Sequence, residues 1–547
     1  MAPRIVILLI AASLMCCIAS DFDLIKLRTL SDLRGPSDGS LPPPPSADGT
    51  WRDIDYRSGC AIGRVEWPAV QHLDRTLAMA RSCGVANATL AALDFWFKRD
   101  YRDEGCTDTE SDRCCDMPDD TLWNSNWWWN RIGDPRAVRD PVRAKLPDMR
   151  AMTDSWARRD EFAALPTPPL GNRVYASSDY VIHRRPNYFV SVKAASERVA
   201  VSECINGENT LGHRLGDGVM FVNRPGAYDD VFPLWNWNAL PGITVPASAR
   251  GDNGGCATVS GKGDDDFVGG ASDGHFGVFA MRSADGIRKA WFMFDDEIVV
   301  AIVPTSDGET MRSVLDSRVL RGDVTSSAYG DRAPMGIGRT RSSPWWIRHD
   351  SVTYIVPDNA RGANTPVDVV TTVPRDGRWS RISTSEKTVT TKATFTAWFE
   401  HRGPSHYIIV PHTAQDPIAT IDDVVVRQNS DAVQCIVNKR LGTVGIVFWE
   451  AWETASFPGW RVTANRPCVV LAVIEDADRH LRITIADPTH KLDRVSVSVT
   501  RESDGVSGTL AIDTSAHNGA SHTVLWDGSA SDSEMSSSGR PRPFLFH

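Results

Sequence analysis

The stretch Ser202-Glu203-Cys204-Ile205-Asn206-Gly207-Glu208-Asn209 sets carboxylates and carboxamides around one glycine, and Gly212, Gly216, Asp217 and Gly218 follow closely. Asn206 and Asn209 can each donate and accept a hydrogen bond at once. Glu208 can accept from hydroxyls or orient a neighbouring base. The stretch lies between the strand-like runs Tyr188-Phe189-Val190-Ser191-Val192 and Val219-Met220-Phe221-Val222, so it can aim these groups off a sheet edge into a cleft. The competing reading is a tight turn whose Asn and Glu satisfy only their own backbone.

A second constellation is His183-Arg184-Arg185-Pro186-Asn187-Tyr188. Two guanidiniums beside an imidazole disfavour its charged form, which suits a base. His183, Arg184 and Arg185 could supply catalytic groups, His183 acting together with Tyr175, Tyr180 or Tyr188. A structural place in a sheet competes with this reading. A third is Asn126-Trp127-Trp128-Trp129-Asn130-Arg131. Consecutive aromatics cannot all face one core from a helix, so at least one indole is expected at the surface. There it forms a platform for a ring, unless the motif is a helix junction packed on its neighbours.

Other groups carry less. Asp295-Asp296-Glu297 follows an apolar run and reads as a solvated turn rather than as paired catalytic carboxylates. Asp264-Asp265-Asp266 reads as solvated rather than as a Ca²⁺ loop. The Gly-rich segments 251–255 and 261–270 precede no helix that would make a phosphate site. There is no Cys-x-x-Cys pair for zinc and no nucleophile elbow for serine catalysis. No metal and no cofactor is expected.

At 547 residues the chain calls for two or three domains. A net charge of −10 argues against a nucleic-acid partner, yet permits a polyanion held by a local basic cleft. There are 19 Trp against 9 Tyr, an excess that suits sugar stacking as well as cores. Arg4, the apolar run 5–15 and Cys17-Ile18-Ala19-Ser20 read as a secretory signal over residues 1–20. No later run is apolar enough to span a bilayer, so a secreted, extracellular monomer with no membrane partner is expected. Of 11 Cys, nine lie beyond the signal, an odd number. Cys60, Cys83, Cys106, Cys114 and Cys115 crowd together as disulfide candidates.

The elements that must position these groups fall into blocks. Residues 21–50 form a Pro-rich linker. Residues 51–170 read as helical, with one helix over 68–83 (Val70, Leu73, Leu77 and Ala80 inward) and a second near 88–100 (Leu90, Leu93 and Phe97 inward). Residues 171–420 read as a large antiparallel sandwich, with strands at 277–281, 290–294, 298–303, 352–356, 394–398 and 407–410. A smaller sandwich follows over 421–515, with strands near 444–448, 469–474, 481–485 and 495–500, and then a Ser-rich tail over 516–547.

Several motifs in this order resemble polysaccharide lyase family 8, the hyaluronate, chondroitin AC and xanthan lyases. They are Asn126-Trp127-Trp128 with Ile132-Gly133-Asp134-Pro135-Arg136, His183-Arg184-Arg185-Pro186-Asn187-Tyr188, Ser196-Glu197-Arg198, Asn206-Gly207-Glu208-Asn209, Trp235-Asn236-Trp237 and Leu240-Pro241-Gly242-Ile243-Thr244. Trp345-Trp346-Ile347-Arg348-His349-Asp350, His401-Arg402-Gly403 with Tyr407, and Asp487-Pro488-Thr489 continue the match. The resemblance implies an α+β multidomain chain: an N-terminal incomplete α/α toroid, a central large antiparallel β-sandwich and a C-terminal small β-sandwich. It implies eliminative cleavage of an acidic polysaccharide, with Trp127, Trp128, Asn206, Glu208 and Asn209 binding substrate. An Asn neutralises the uronate carboxylate, and a His and a Tyr remove the C5 proton and protonate the leaving O4.

The chain departs from that pattern where the family's catalytic helices belong. Between Arg136 and Asn172 there is no His and no Tyr. A helical hairpin takes roughly 30–40 residues, so residues 51–170 hold about three, and the toroid is expected to be truncated. This leaves His183, Arg184 and Glu208 as replacement catalytic candidates. The alternatives are a carbohydrate-binding remnant without catalysis and an incomplete gene product of an active lyase.

Overall fold

The computed structural model describes residues 42–56, 68–81, 86–99 and 170–528, apart from the short internal stretches 205–206, 250–260, 284, 305–307, 329–333, 385–387, 413–421, 477–478 and 516–517. The N-terminal apolar run, Trp127, Trp128, Asn206, the five clustered cysteines and residues 529–547 lie outside the described residues, and the expectation of a tail from residue 516 is corrected, because His522–Trp526 pairs as a strand with His480–Ala486. The chain divides into two compact units, Met1–Thr167 and Pro168–His547.

In the first unit, helices α1 (Pro68–Arg81) and α2 (Ala86–Arg99) pack together. Pro68 opens α1, where its missing N–H costs nothing. The buried stripe of α1 is Ala69, Val70, His72, Leu73, Thr76 and Met79, and that of α2 is Thr89, Ala92, Leu93, Phe95 and Trp96. Of the expected α2 face Leu93 is buried, whereas Leu90 is 42% exposed. The rings of Phe95 and Trp96 claim the interface, which turns the helix and sends Leu90 outward. Between the helices His72 accepts or donates at both nitrogens, Nδ1 to the Tyr56 hydroxyl at 3.1 Å and Nε2 to the Ala92 carbonyl at 2.9 Å. The expected toroid rests on residues beyond those described.

The second unit is a stack of antiparallel sheets. Strands β1 (Gly171–Tyr175), β2 (Tyr180–Arg185), β3 (Tyr188–Ala194) and β4 (Asp217–Asn223) form one sheet in sequential order. A five-stranded sheet runs Gly338–Ser342, Val367–Thr371, Thr394–His401, Met311–Val319, Thr244–Pro246. An eight-stranded sheet runs Val324–Ser326, Trp346–His349, Val352–Ile355, Ser405–Val410, Glu297–Val303, Arg288–Phe294, Gly277–Arg282, Val268–Ser272.

The eight-stranded sheet is the middle layer, and the sequence shows why. Every residue of Glu297–Val303 is buried, so the strand is a continuous apolar run rather than an alternating one. Ile298, Val300 and Ile302 join one core with Val190, Val192, Met220, Phe395 and Phe399. Val299 and Ala301 face the other way, into a core with Ile436, Val447, Val469 and Leu471. That second core belongs to a six-stranded sheet (Val424–Asn429, Val433–Asn438, Thr443–Phe448, Cys468–Glu475, His480–Ala486, His522–Trp526). The two layers approach closely at Gly445, where a Cβ would sit 2.3 Å from the Phe292 ring. A four-stranded sheet closes the stack over a third core around Trp460, Val462 and Val497.

Polar joints tie the layers. Arg198 donates to Asp179 Oδ1 (3.1 Å) and to the carbonyls of Asp266, Val268, Pro488 and Thr489, so the Ser196-Glu197-Arg198 motif clamps the large sandwich to the Asp487-Pro488-Thr489 turn of the small one. The Asp295-Asp296-Glu297 turn is a second joint, and the expectation of a solvated turn is corrected. Asp295 Oδ1 accepts from Arg185, Asp296 Oδ1 accepts from the Tyr188 hydroxyl, and buried Glu297 pairs with Arg440 at 2.9 Å. This hairpin end abuts β2 and β3 on one side and the six-stranded sheet on the other, so its carboxylates are drawn to Arg185, the Tyr188 hydroxyl and Arg440.

Candidate functional site

The loop 202–210 is held at both ends. Cys204 is buried and disulfide-bonded, and Leu211 packs into a cluster with Trp235, Trp237 and Ile382. Between these anchors the loop pairs with residues 381–384. Thr384 N donates to the Gly207 carbonyl (3.1 Å), Thr210 N to the Ile382 carbonyl (3.1 Å), and Glu208 bridges Ser383. Gly207 is required here: its φ is +76°, and a Cβ would lie 2.4 Å from Thr384 Oγ1.

Residues 207–210 therefore present their side chains from a fixed backbone. Glu208 is half-buried and Asn209 is exposed. Asn209 sits in the left-handed region at φ 55° and donates Nδ2–H to the Glu203 carbonyl at 2.9 Å. It thus satisfies its own turn, as the competing reading held, while its amide oxygen stays on an exposed side chain.

A hairpin that the sequence reading did not single out flanks the loop. Arg375–Arg378 pairs with Val389–Lys392, and a short 3-10 turn, Trp379–Arg381, leads back to the loop's partner residues. Arg375 and Arg381 donate to the Leu234 and Pro233 carbonyls, and half-buried Trp379 packs near Phe232. Arg378 is exposed and has no hydrogen-bond partner among the described residues. The density of arginine in Arg375-Asp376-Gly377-Arg378-Trp379-Ser380-Arg381 was the available signal. Loop and hairpin together make a rim of carboxylate, amide and cation, suited to the hydroxyls and carboxylates of a sugar acid.

The His183 constellation goes elsewhere. His183 lies on the buried face of β2, with Nε2–H donating to the Asp295 carbonyl (2.7 Å) and Nδ1 against the Asn172 amide (3.3 Å). Burial, together with the Arg185 guanidinium, pushes its pKa down to about 3. It is held neutral as expected, but with both nitrogens engaged inside the fold, so it braces β2 rather than facing a cleft. Tyr188 is buried on the same joint, its pKa raised by burial and by the Asp296 carboxylate. Arg184 points to the opposite face of β2 and is half-buried, and its Nε has no protein partner. The other motif histidines are also internal: His401 bonds Ser313 and the Gly403 carbonyl, and His349 stacks on Phe395 at 4.3 Å. Within the acidic run Asp265 pairs with Arg282 and Asp266 with Lys491, while Asp264 is exposed. Among the described residues no cluster of His, Cys, Asp or Glu could hold a metal.

This architecture matches two family models: the polysaccharide lyase family 8 super-sandwich domain over residues 170–421 and the family's C-terminal beta-sandwich domain over 425–496. The chain belongs to polysaccharide lyase family 8. Among family 8 proteins it is 29% identical to the chondroitinase-AC of Pedobacter heparinus over 395 residues, covering 68% of this chain and 54% of that one. It is 28% identical to the xanthan lyase of Bacillus sp. strain GL1, covering 61% and 38%, and 26% identical to the hyaluronate lyase of Thermasporomyces composti, covering 68% and 49%. The chain thus spans about half the length of the curated relatives it matches. Among solved structures, a chondroitinase AC lyase studied with oligosaccharides shares the fold, with a TM-score of 0.64 at 19% identity over 91% of this chain and 98% of that one. A Paenibacillus xanthan lyase does so with a TM-score of 0.59 at 19% identity over 87% and 46%.

Proposed function

We propose that this chain supplies the sheet side of a lyase cleft and that its substrate is a uronic-acid-containing polysaccharide of the hyaluronan, chondroitin or xanthan type, cut by β-elimination. The observation that carries this reading is the braced loop 202–210 with its flanking arginine hairpin, on a family 8 super-sandwich. In the reaction a base takes the C5 proton, the C4–C5 double bond forms, the C4–O4 bond breaks, and an acid protonates O4. The C5 proton is acidic enough only when the uronate carboxylate is neutralised. Asn206, Glu208 and Asn209 meet sugar hydroxyls, Arg378 adds cationic character to the rim, and Trp127 and Trp128 offer stacking faces. Secretion fits this reading. The N-terminal signal supports it, as does the Cys204 disulfide, a bond that persists in oxidising compartments.

A second reading, carbohydrate binding without cleavage, is favoured by one observation. The segment between Arg136 and Asn172 has no His or Tyr, and His183 and His401 keep both ring nitrogens inside the fold. The ultraviolet absorbance of the unsaturated uronate product separates the two. The chain is incubated with hyaluronan, chondroitin sulfate and xanthan beside an Asn206→Ala, Glu208→Ala double variant. A rise abolished in the variant supports the lyase reading, and a rise that persists removes the loop from the chemistry. Binding with a flat trace supports the second reading. Neither binding nor a rise on any of these polymers overturns both.

A further inference from the structure

Edge strand β1 and the loop before His522–Trp526 line an open cleft of about 470 Å³. The volume falls in the range of about 300–1,000 Å³ typical of small-ligand sites. Its floor is cross-braced. Ser272 N donates to Ser521 Oγ (2.9 Å), Ser272 Oγ donates to the Asn172 carbonyl (2.9 Å), and Asn172 N donates to the Gly274 carbonyl (3.1 Å). Because Asn172 N points away from β2, the alternation of an antiparallel pair turns the Val174 N–H toward the cleft as well.

The walls carry groups the fold does not use. Tyr175 is 45% exposed, its ring 6.3 Å from that of Tyr180. Arg173 is exposed, and its guanidinium makes no hydrogen bond or ion pair among the described residues, in contrast to Arg185 of the same sheet. Asn518, exposed at φ 44°, offers an amide from the opposite wall. An aromatic face, a free cation, an amide and hydroxyls are what a sugar acid needs: a surface for its apolar ring face, a partner for its carboxylate or sulfate, and donors for its hydroxyls. A purely apolar ligand would find one ring and little else, and a nucleic acid would find one cation on a chain of net charge −10.

We propose that this cleft is a second, non-catalytic binding site for an acidic saccharide, with Tyr175 stacking on a pyranose ring and Arg173 pairing with its anionic group. The proposal rests on the polysaccharide reading above and adds a separate hold on the polymer. A second hold raises the effective concentration of chain at the lyase rim.

Calorimetric titration of the full chain with short hyaluronan and chondroitin oligosaccharides tests it. The variants are Arg173→Ala with Tyr175→Ala, Arg173→Lys, and Ala520→Trp, which fills the cleft from an exposed position without changing charge. The expected result is a site whose affinity falls about tenfold or more in the double variant, the scale of a lost charge-assisted hydrogen bond. The site should fall comparably in Ala520→Trp, persist in Arg173→Lys, and remain in Glu208→Ala. Oligosaccharide binding unchanged in both the double variant and Ala520→Trp overturns this proposal and leaves the lyase reading standing. A wild-type chain that neither binds nor cleaves these sugars overturns the lyase reading and this proposal with it.

Discussion

At the turn 295–297, carboxylates and a carbonyl are tied to Arg185, His183, Tyr188 and Arg440, partners drawn from other sheets. At residues 207–210 the backbone is tied to residues 381–384, and of the side chains Glu208 is half-buried and Asn209 exposed. Both regions are rich in the polar residues that chemistry uses. The difference lies in where rigidity comes from. In the turn the side chains are the brace, and each carboxylate is already taken by a partner within the fold. In the loop a disulfide, a glycine and main-chain bonds are the brace, which leaves Glu208, Asn209 and the neighbouring Arg378 at the surface.

The sharpest way to break this comparison is to remove a brace made of side chains. Arg198→Ala strips the guanidinium from five acceptors, one of them the fully buried Asp179 carboxylate. An uncompensated buried charge costs about 3–5 kcal/mol, so a loss of that size in urea unfolding is expected. A loss below about 1 kcal/mol would mean that the two sandwiches are held together by their apolar cores alone.

His183 offers a pH test of the same brace. Its folded pKa of about 3 lies below the ordinary 6.5, so from pH 6.5 downward the unfolded chain takes a proton that the folded chain refuses. Stability from this group is complete above pH 6.5 and drains as pH falls toward 3, by about 1.4 kcal/mol per pH unit. His183→Gln keeps a donor for the Asp295 carbonyl and abolishes that slope. Urea midpoints between neutral and mildly acidic pH should fall less steeply in the variant; identical slopes would show that the imidazole is not held neutral.

These two residues also mark where the sequence stops being legible. The strands of the middle layer can be read directly, because burial on both faces writes itself as runs such as Ile298 to Val303. The loop is legible as a polar turn around Gly207. The role of His183 is not, because its partner Asp295 lies 112 residues away and no local pattern pairs them. The same holds for Glu297, which reads as turn acid until Arg440 is brought to it from another sheet. The face of α2 was read only in part for a related reason: spacing placed Leu93 inward, but the bulk of Phe95 and Trp96 takes the interface and leaves Leu90 outside. The arginine hairpin was legible in composition alone and gains meaning only from docking beside residues 202–210.

Asn209 sharpens the comparison at smaller cost, because it belongs to both descriptions. Its left-handed backbone and its bond to the Glu203 carbonyl make it a turn residue. Asn209→Ala should destabilise by about 1 kcal/mol through the left-handed penalty, whereas Asn209→Gly should be nearly neutral. If the side chain also meets sugar, both variants weaken polysaccharide binding alike. Binding that survives in Asn209→Gly would confine the residue to its turn.

The smallest effect on stability is expected at Arg378, and there the comparison turns on function. Arg198 and Arg185 are spent inside the fold, whereas Arg378 is exposed beside the loop and has no hydrogen-bond partner among the described residues. Its replacement by alanine should leave unfolding within about 0.5 kcal/mol of the parent, since no brace is lost. An exposed ion pair contributes roughly 0.2–1 kcal/mol, so the affinity for hyaluronan or chondroitin sulfate should fall by about 1.4- to fivefold at low salt. The difference should vanish near 1 M salt, where screening shortens to about 3 Å. Equal affinity of parent and variant at low salt would separate the hairpin from the polysaccharide, and the rim would then reduce to the loop alone.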